Sequence, residues 1–139
     1  AVTRCCRELR ELCDSYNEGL VTSAALMPDD NDSHYYYGQD QNEMGKYIHI
    51  LMPMIYRYSY GYNDAACVRA ANKFADNTAG AQCWAGTTTY KGDDSKVYPM
   101  DEDGIMKDCE VYKDSRASGI VLFRYGLGTF PDMTRFNME

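Results

Sequence analysis

The chain is 139 residues long and carries 21 Asp and Glu against 14 Lys and Arg, a net charge of −7. That length suits one domain with a real apolar core, and the acidic balance argues against a nucleic-acid or anionic-membrane surface, both of which need basic patches. The longest apolar candidate, Tyr47 to Tyr56, is interrupted by His49 and Pro53 and falls well short of the ~20 residues of a membrane span.

Taken in chain order, Val2, Cys6, Leu9, Cys13 and Tyr16 repeat at helical spacing, and Arg4–Glu8, Arg7–Glu11 and Arg10–Asp14 set opposite charges four residues apart. The first segment is therefore an amphipathic helix, and Gly19 is its stop. Residues 20–43 read as irregular, with Pro28, a run of Asp and Asn, and Gly38 as loop signals. Asn31-Asp32-Ser33 is an acceptor sequence for N-glycosylation. Seven acidic residues and no Lys or Arg lie between Asp14 and Glu43, so the whole net charge sits in this stretch.

Met44, Tyr47, Ile48, Leu51 and Ile55 keep helical spacing, and Pro53 ends or kinks that helix. A helix to about residue 52 is expected, followed by an extended segment in which Tyr56, Tyr58, Tyr60 and Tyr62 alternate; a helix running through the proline is the alternative. Asn63 or Asp64 caps a second helix over Ala65 to Asp76. Cys83 to Tyr90 is a strand, Lys91-Gly92-Asp93-Asp94 a turn and Lys96 to Tyr98 a hairpin partner. Asp108 to Lys113 alternates as a further strand, and Gly119 to Tyr125 is the strongest strand of the chain. The expected fold class is α+β: an N-terminal helix and one or two more packed on a C-terminal antiparallel sheet, in one domain over residues 1–139.

The six cysteines, Cys5, Cys6, Cys13, Cys67, Cys83 and Cys109, lack the close pairs of a metal site. An even number without metal spacing reads as a disulfide framework. Cys6 and Cys13 would stand two helical turns apart, roughly 10 Å, beyond the reach of a bridge. Each N-terminal cysteine is therefore expected to bond one of Cys67, Cys83 and Cys109. With Ala1 read as the start of a mature product, this predicts a secreted, extracellular protein.

Thirteen tyrosines are the compositional outlier. Tyr35, Tyr36 and Tyr37 beside Asp30, Asp32 and His34 form a candidate aromatic, acidic recognition surface, suited to an extracellular protein or a small cationic or amphipathic ligand. Trp84 is a candidate stacking residue, or core beside a disulfide. His49, in an apolar run, reads as a core histidine. Neither a metal nor a cofactor is expected, since no oxygen-rich loop fits the calcium pattern. The expected function is extracellular binding without catalysis. The alternatives are a small hydrolase using His34 with Asp32, or a carboxylate pair near Asp101 and Glu110, and a matrix protein that uses its tyrosines for adhesion.

Overall fold

A computed structural model describes residues 1–28, 30–93 and 95–138, without the side chains of Asp30, Asn31, Asp32 and Asp93. Helix α1 (Val2–Tyr16) forms on the seam the sequence shows, and its three charge pairs close at 3.5, 3.8 and 2.7 Å. Then follow β1 (Ser23–Leu26), α2 (Asp30–Tyr37), α3 (Gln41–Met44), β2 (Ile50–Pro53), α4 (Arg57–Tyr60), α5 (Asp64–Ala75) and β3 (Gln82–Thr88). The hairpin β4 (Tyr90–Asp93) and β5 (Lys96–Pro99), helix α6 (Glu102–Glu110), a 3-10 turn at Val111–Asp114, strand β6 (Gly119–Phe123) and a 3-10 turn at Met133–Arg135 complete the chain.

Strands β1, β2, β3 and β6 form one sheet in that order, and every pairing in it is parallel. This corrects the expected antiparallel C-terminal sheet, which survives only as the two-stranded β4–β5 hairpin. The reason is connectivity. Each strand of the main sheet is separated from the next by helix, and a strand that returns in the same direction needs such a crossover.

Local corrections follow the same logic. The apolar run from Ile50 forms strand β2 over Ile50–Pro53, with Leu51 and Pro53 buried, rather than the end of a helix; near-continuous apolar runs are usual in parallel sheets. The alternating tyrosines instead span α4, which Gly61 closes in the left-handed region at φ +66°. The Asp108–Lys113 strand is absent as well. Asp101 accepts the Gly104 N–H at 2.8 Å and starts α6, and Ile105, Cys109 and Tyr112 bury themselves at spacings of four and three.

The two faces of the sheet differ. Leu26, Leu51, Ile55, Cys83 and Ala85 pack under the helices against Cys6, Met44, Cys67, Ala71, Phe74 and Tyr112. On the opposite face Ser23, Ala25, Gln82 and Phe123 are exposed, and Ile50, Met52, Trp84 and Val121 are half-buried. Helices along one face only, with strands in sequential order, is the winding of a (β/α) barrel.

All six cysteines are free thiols, with no two sulfurs within 4.5 Å. This overturns the disulfide framework. Cys6, Cys67 and Cys83 lie in the main core, Cys109 packs with Met100 and Ile105 in a second cluster, Cys13 is half-buried and Cys5 is exposed. The buried ones fill space as small apolar groups. Without bridges, the step from cysteine count to a secreted product with its signal peptide removed loses its ground. Nothing in the structure marks a glycosylated chain, and the Asn31 side chain lies outside the described residues.

Candidate functional site

In a parallel sheet wound this way, the segments that follow the strands gather at one end, and folds of this kind hold their sites there. Phe123 is the last residue of β6, Tyr90 comes two residues after β3 reaches Thr88, and Tyr56 lies three beyond β2. The Tyr56 and Phe123 rings stack at 5.3 Å and 13°, and Tyr90 meets Phe123 at 6.5 Å and 60°. Tyr90 is buried, Tyr56 is half-buried and Phe123 is 40% exposed. The result is an aromatic platform with its outer ring open. Burial, then the neighbouring Tyr90 and Tyr60, pushes the Tyr56 phenol up to about 12.

Two braces hold the platform. The segment after β6 is tied down by Thr89, which accepts the Arg124 N–H at 3.2 Å and donates to the Leu127 carbonyl, and by Thr129 N–H to the Met100 carbonyl at 2.9 Å. Gly128 is required here: at φ +80° a Cβ would lie 2.3 Å from the Thr89 carbonyl oxygen. This segment also presents Tyr125, 92% exposed, with its ring 5.8 Å from Phe130. Below Tyr56, Arg57 donates to Asp108 at 2.9 Å and to Asp64 at 2.5 Å, clamping α4 to α6 and α5. Arg57 and Lys91 each stand 5.7 Å from the Tyr58 ring centre. Burial and then Asp108 push the Tyr58 phenol up to about 12.

The sequence-derived site residues are divided between the two ends of the sheet. Tyr35, Tyr36 and Tyr37 are exposed on α2, which follows β1 and so belongs to the platform end. Their rings touch one another, Tyr35 to Tyr36 at 5.0 Å edge-on and Tyr36 to Tyr37 at 6.5 Å. His34 is exposed on the same helix, and the side chains of Asp30 and Asp32 lie outside the described residues. Trp84, near the start of β3, lines a cavity of about 700 Å³ at the other end, together with His49. Asp101 and Glu110 stand at opposite ends of α6, about 13 Å apart along the helix. That exceeds the separation at which two carboxylates act on one glycosidic bond, and Asp101 is occupied as a cap. Among the described residues no group of three His, Cys, Asp or Glu is arranged to hold a metal.

Sequence reasoning missed the platform itself. Tyr90 and Phe123 were visible as strand residues, but their convergence depends on β3 pairing with β6 in parallel. For Tyr56 alone there was a signal, an apolar run followed by an aromatic residue and then a helix.

No family model matches the chain, and no curated protein matches it in sequence. Among solved structures, a protein assigned as an alpha-L-fucosidase from Bacteroides thetaiotaomicron is similar in fold, with a TM-score of 0.60 and 18% identity. The likeness covers 88% of this chain and 41% of that one, so the chain spans about two fifths of its neighbour's length. Among the described residues no helix is long and apolar enough to cross a membrane.

Proposed function

We propose that the chain is a saccharide-binding module that holds a neutral sugar ring on the Tyr56–Phe123–Tyr90 platform. The observation that carries this reading is three aromatic rings converging at the C-terminal ends of three adjacent parallel strands. A pyranose has an apolar C–H face that an aromatic ring covers and a rim of hydroxyls. The Tyr56 phenol, protonated at neutral pH as any tyrosine is, offers a polar partner for that rim. The charged side chains nearest the platform in sequence are basic, Arg57, Lys91 and Arg124, so a neutral amphipathic ligand suits this end better than a cationic one. The fold likeness to a protein assigned as a fucosidase supports the same ligand class.

The reading is of binding rather than turnover. The two carboxylates next to Tyr56, Asp108 and Asp64, are both engaged by Arg57, whereas a glycosidase needs two placed across the scissile bond. The test is saturation-transfer NMR with a panel of neutral oligosaccharides, fucosylated ones included. Saturable contacts from sugar C–H protons that vanish in Phe123→Ala and Tyr56→Ala support it. Absence of binding across the panel, or binding unchanged by both substitutions, overturns it. Hydrolysis of 4-nitrophenyl α-L-fucoside by the isolated chain would replace binding with catalysis as the function.

A further inference from the structure

The cavity at the opposite end of the sheet has the features of a second, independent site. It opens where α1, the loop before β2 and the loop before β3 meet, and Arg10, Lys46, His49, Ile50, Gln82 and Trp84 face it. At about 700 Å³ it falls in the range of small-molecule sites. Its wall is preformed: the loops at Gly45 and Thr78 touch backbone to backbone, and a Cβ on Gly45 would lie 1.9 Å from the Thr78 carbonyl oxygen.

Trp84 is built as a flat surface. One side of the indole rests on Gly119, where a Cβ would come within 2.6–2.7 Å of Cγ, Cδ1 and Cδ2. Its Nε1–H is already donated to Gln82 Oε1 at 2.9 Å. The polar edge is satisfied and one face is covered, so what the ring offers the cavity is π surface.

His49 supplies the polar end, because its neighbours ask for more acceptors than it has. The Thr22 backbone N–H points at Nδ1 from 2.9 Å, and the Arg10 guanidinium lies against the ring with Nη1 closest to Nε2. A neutral imidazole has one acceptor nitrogen, and a guanidinium only donates. The Thr22 hydroxyl lies 3.0 Å from Nδ1 as well, and Arg10 Nη1 is 3.2 Å from it, so the guanidinium stands over the ring rather than in line with Nε2. The backbone amide is fixed, so Nδ1 accepts from Thr22, and the Nε2–H and the guanidinium are left as neighbouring donors. An anionic oxygen at that edge would accept from both. Each cation in the wall already has a carboxylate, Arg10 with Asp14 at 2.7 Å and Lys46 with Glu43 at 2.5 Å. Recognition there rests on aimed donors rather than on net charge.

We propose that this cavity binds a small aromatic carboxylate, its ring on Trp84 and its carboxylate against the edge that Arg10 and His49 form. Trp84 is the one tryptophan of the chain, so its indole N–H gives a single side-chain signal in a ¹H–¹⁵N NMR spectrum. Titration with sodium benzoate is expected to move that signal to saturation. Benzamide, which lacks the charge, and acetate, which lacks the ring, should bind at least about tenfold more weakly, the effect of one charge-assisted hydrogen bond or one ring contact. Arg10→Met and His49→Gln should each weaken benzoate by a similar factor. Either variant alone suffices if the other does not fold by circular dichroism. An unmoved or non-saturating signal, equal response to benzamide, or full response in both folded variants overturns the proposal. Oligosaccharides should not compete with benzoate, which keeps this outcome separate from that of the platform.

Discussion

The two ends of the sheet solve the problem of exposing aromatic surface in opposite ways. At the C-terminal end, Tyr56 stacks on Phe123 and Tyr90 tilts against it to make an open platform, steadied from outside by the Arg57–Asp108 clamp and the Thr89-bound segment. At the N-terminal end a single indole lies flat on a glycine at the wall of an open cavity, beside a histidine and an arginine. The first arrangement favours a ligand that brings its own broad face and a rim of hydroxyls. The second favours a small ligand whose flat ring and charge are addressed separately. Strand direction explains the contrast: the segments after the strands carry α2, α4, the hairpin and the tail, whereas those before the strands are short and close on each other.

The comparison can be broken or sharpened experimentally, starting from the core common to both ends. Burial pushes the Cys83 and Cys109 thiols from 9.0 up to about 12, and the Tyr56 and Tyr58 phenols from 10.0 up to about 12. The folded values lie above the unfolded ones, so stability is intact below pH 9 and falls as pH rises toward 12. Each fully buried group contributes about 1.4 kcal/mol per pH unit across its window. Urea midpoints are expected to drop by the largest amount of any test here between pH 9 and 12; a midpoint flat over that range refutes the buried thiols at both ends.

Asp108→Ala acts on the platform end alone. It leaves Arg57 paired with the exposed Asp64, at a cost of about 1.5–3 kcal/mol for the lost charged hydrogen bond. Urea denaturation measures the loss, and the Trp84 indole response to benzoate should survive it. Gly119→Ala does the reverse, driving a methyl into the indole at a cost of about 1–3 kcal/mol. Benzoate should then fail to move the Trp84 signal while oligosaccharide contacts persist. Phe123→Ala removes an exposed partner of Tyr56 and costs about 0.5–1.5 kcal/mol beyond the loss of area. It should abolish saccharide contacts and spare benzoate. If these last two variants affect both ligands alike, the ends are not separate sites. The smallest perturbation is chemical: iodoacetamide in urea without reductant should add six groups by mass, one per free thiol, and fewer would restore a disulfide.

Residue pattern alone carried several elements. Helix α1 was legible because its cysteines and charges repeat at helical spacing over fifteen residues, and α5 because Asn63 accepts the Ala66 N–H at 2.9 Å, a local cap that sequence can anticipate. Strands β3 and β6 were legible from β-branched and aromatic runs. Strand β1, Ser-Ala-Ala-Leu, has neither, and β2 ends on Pro53, so neither announces itself. Missing them hid the strand–helix alternation, and with it the parallel sheet.

What the sequence by itself determined was local: which segments cap, coil or extend, and where the acidic excess falls. The tertiary structure decided which strands are neighbours, and therefore that Tyr56, Tyr90 and Phe123 meet while Tyr35 to Tyr37 remain outside on α2. It decided that Trp84 rests on Gly119, 35 positions along the chain, through β3–β6 pairing. It also decided that six cysteines stay thiols, because a bond needs two sulfurs to arrive at one point and even Cys6, Cys67 and Cys83, which share the main core, keep their sulfurs more than 4.5 Å apart. Spacing along a chain sets periodicity, but only the path of the backbone brings distant atoms together.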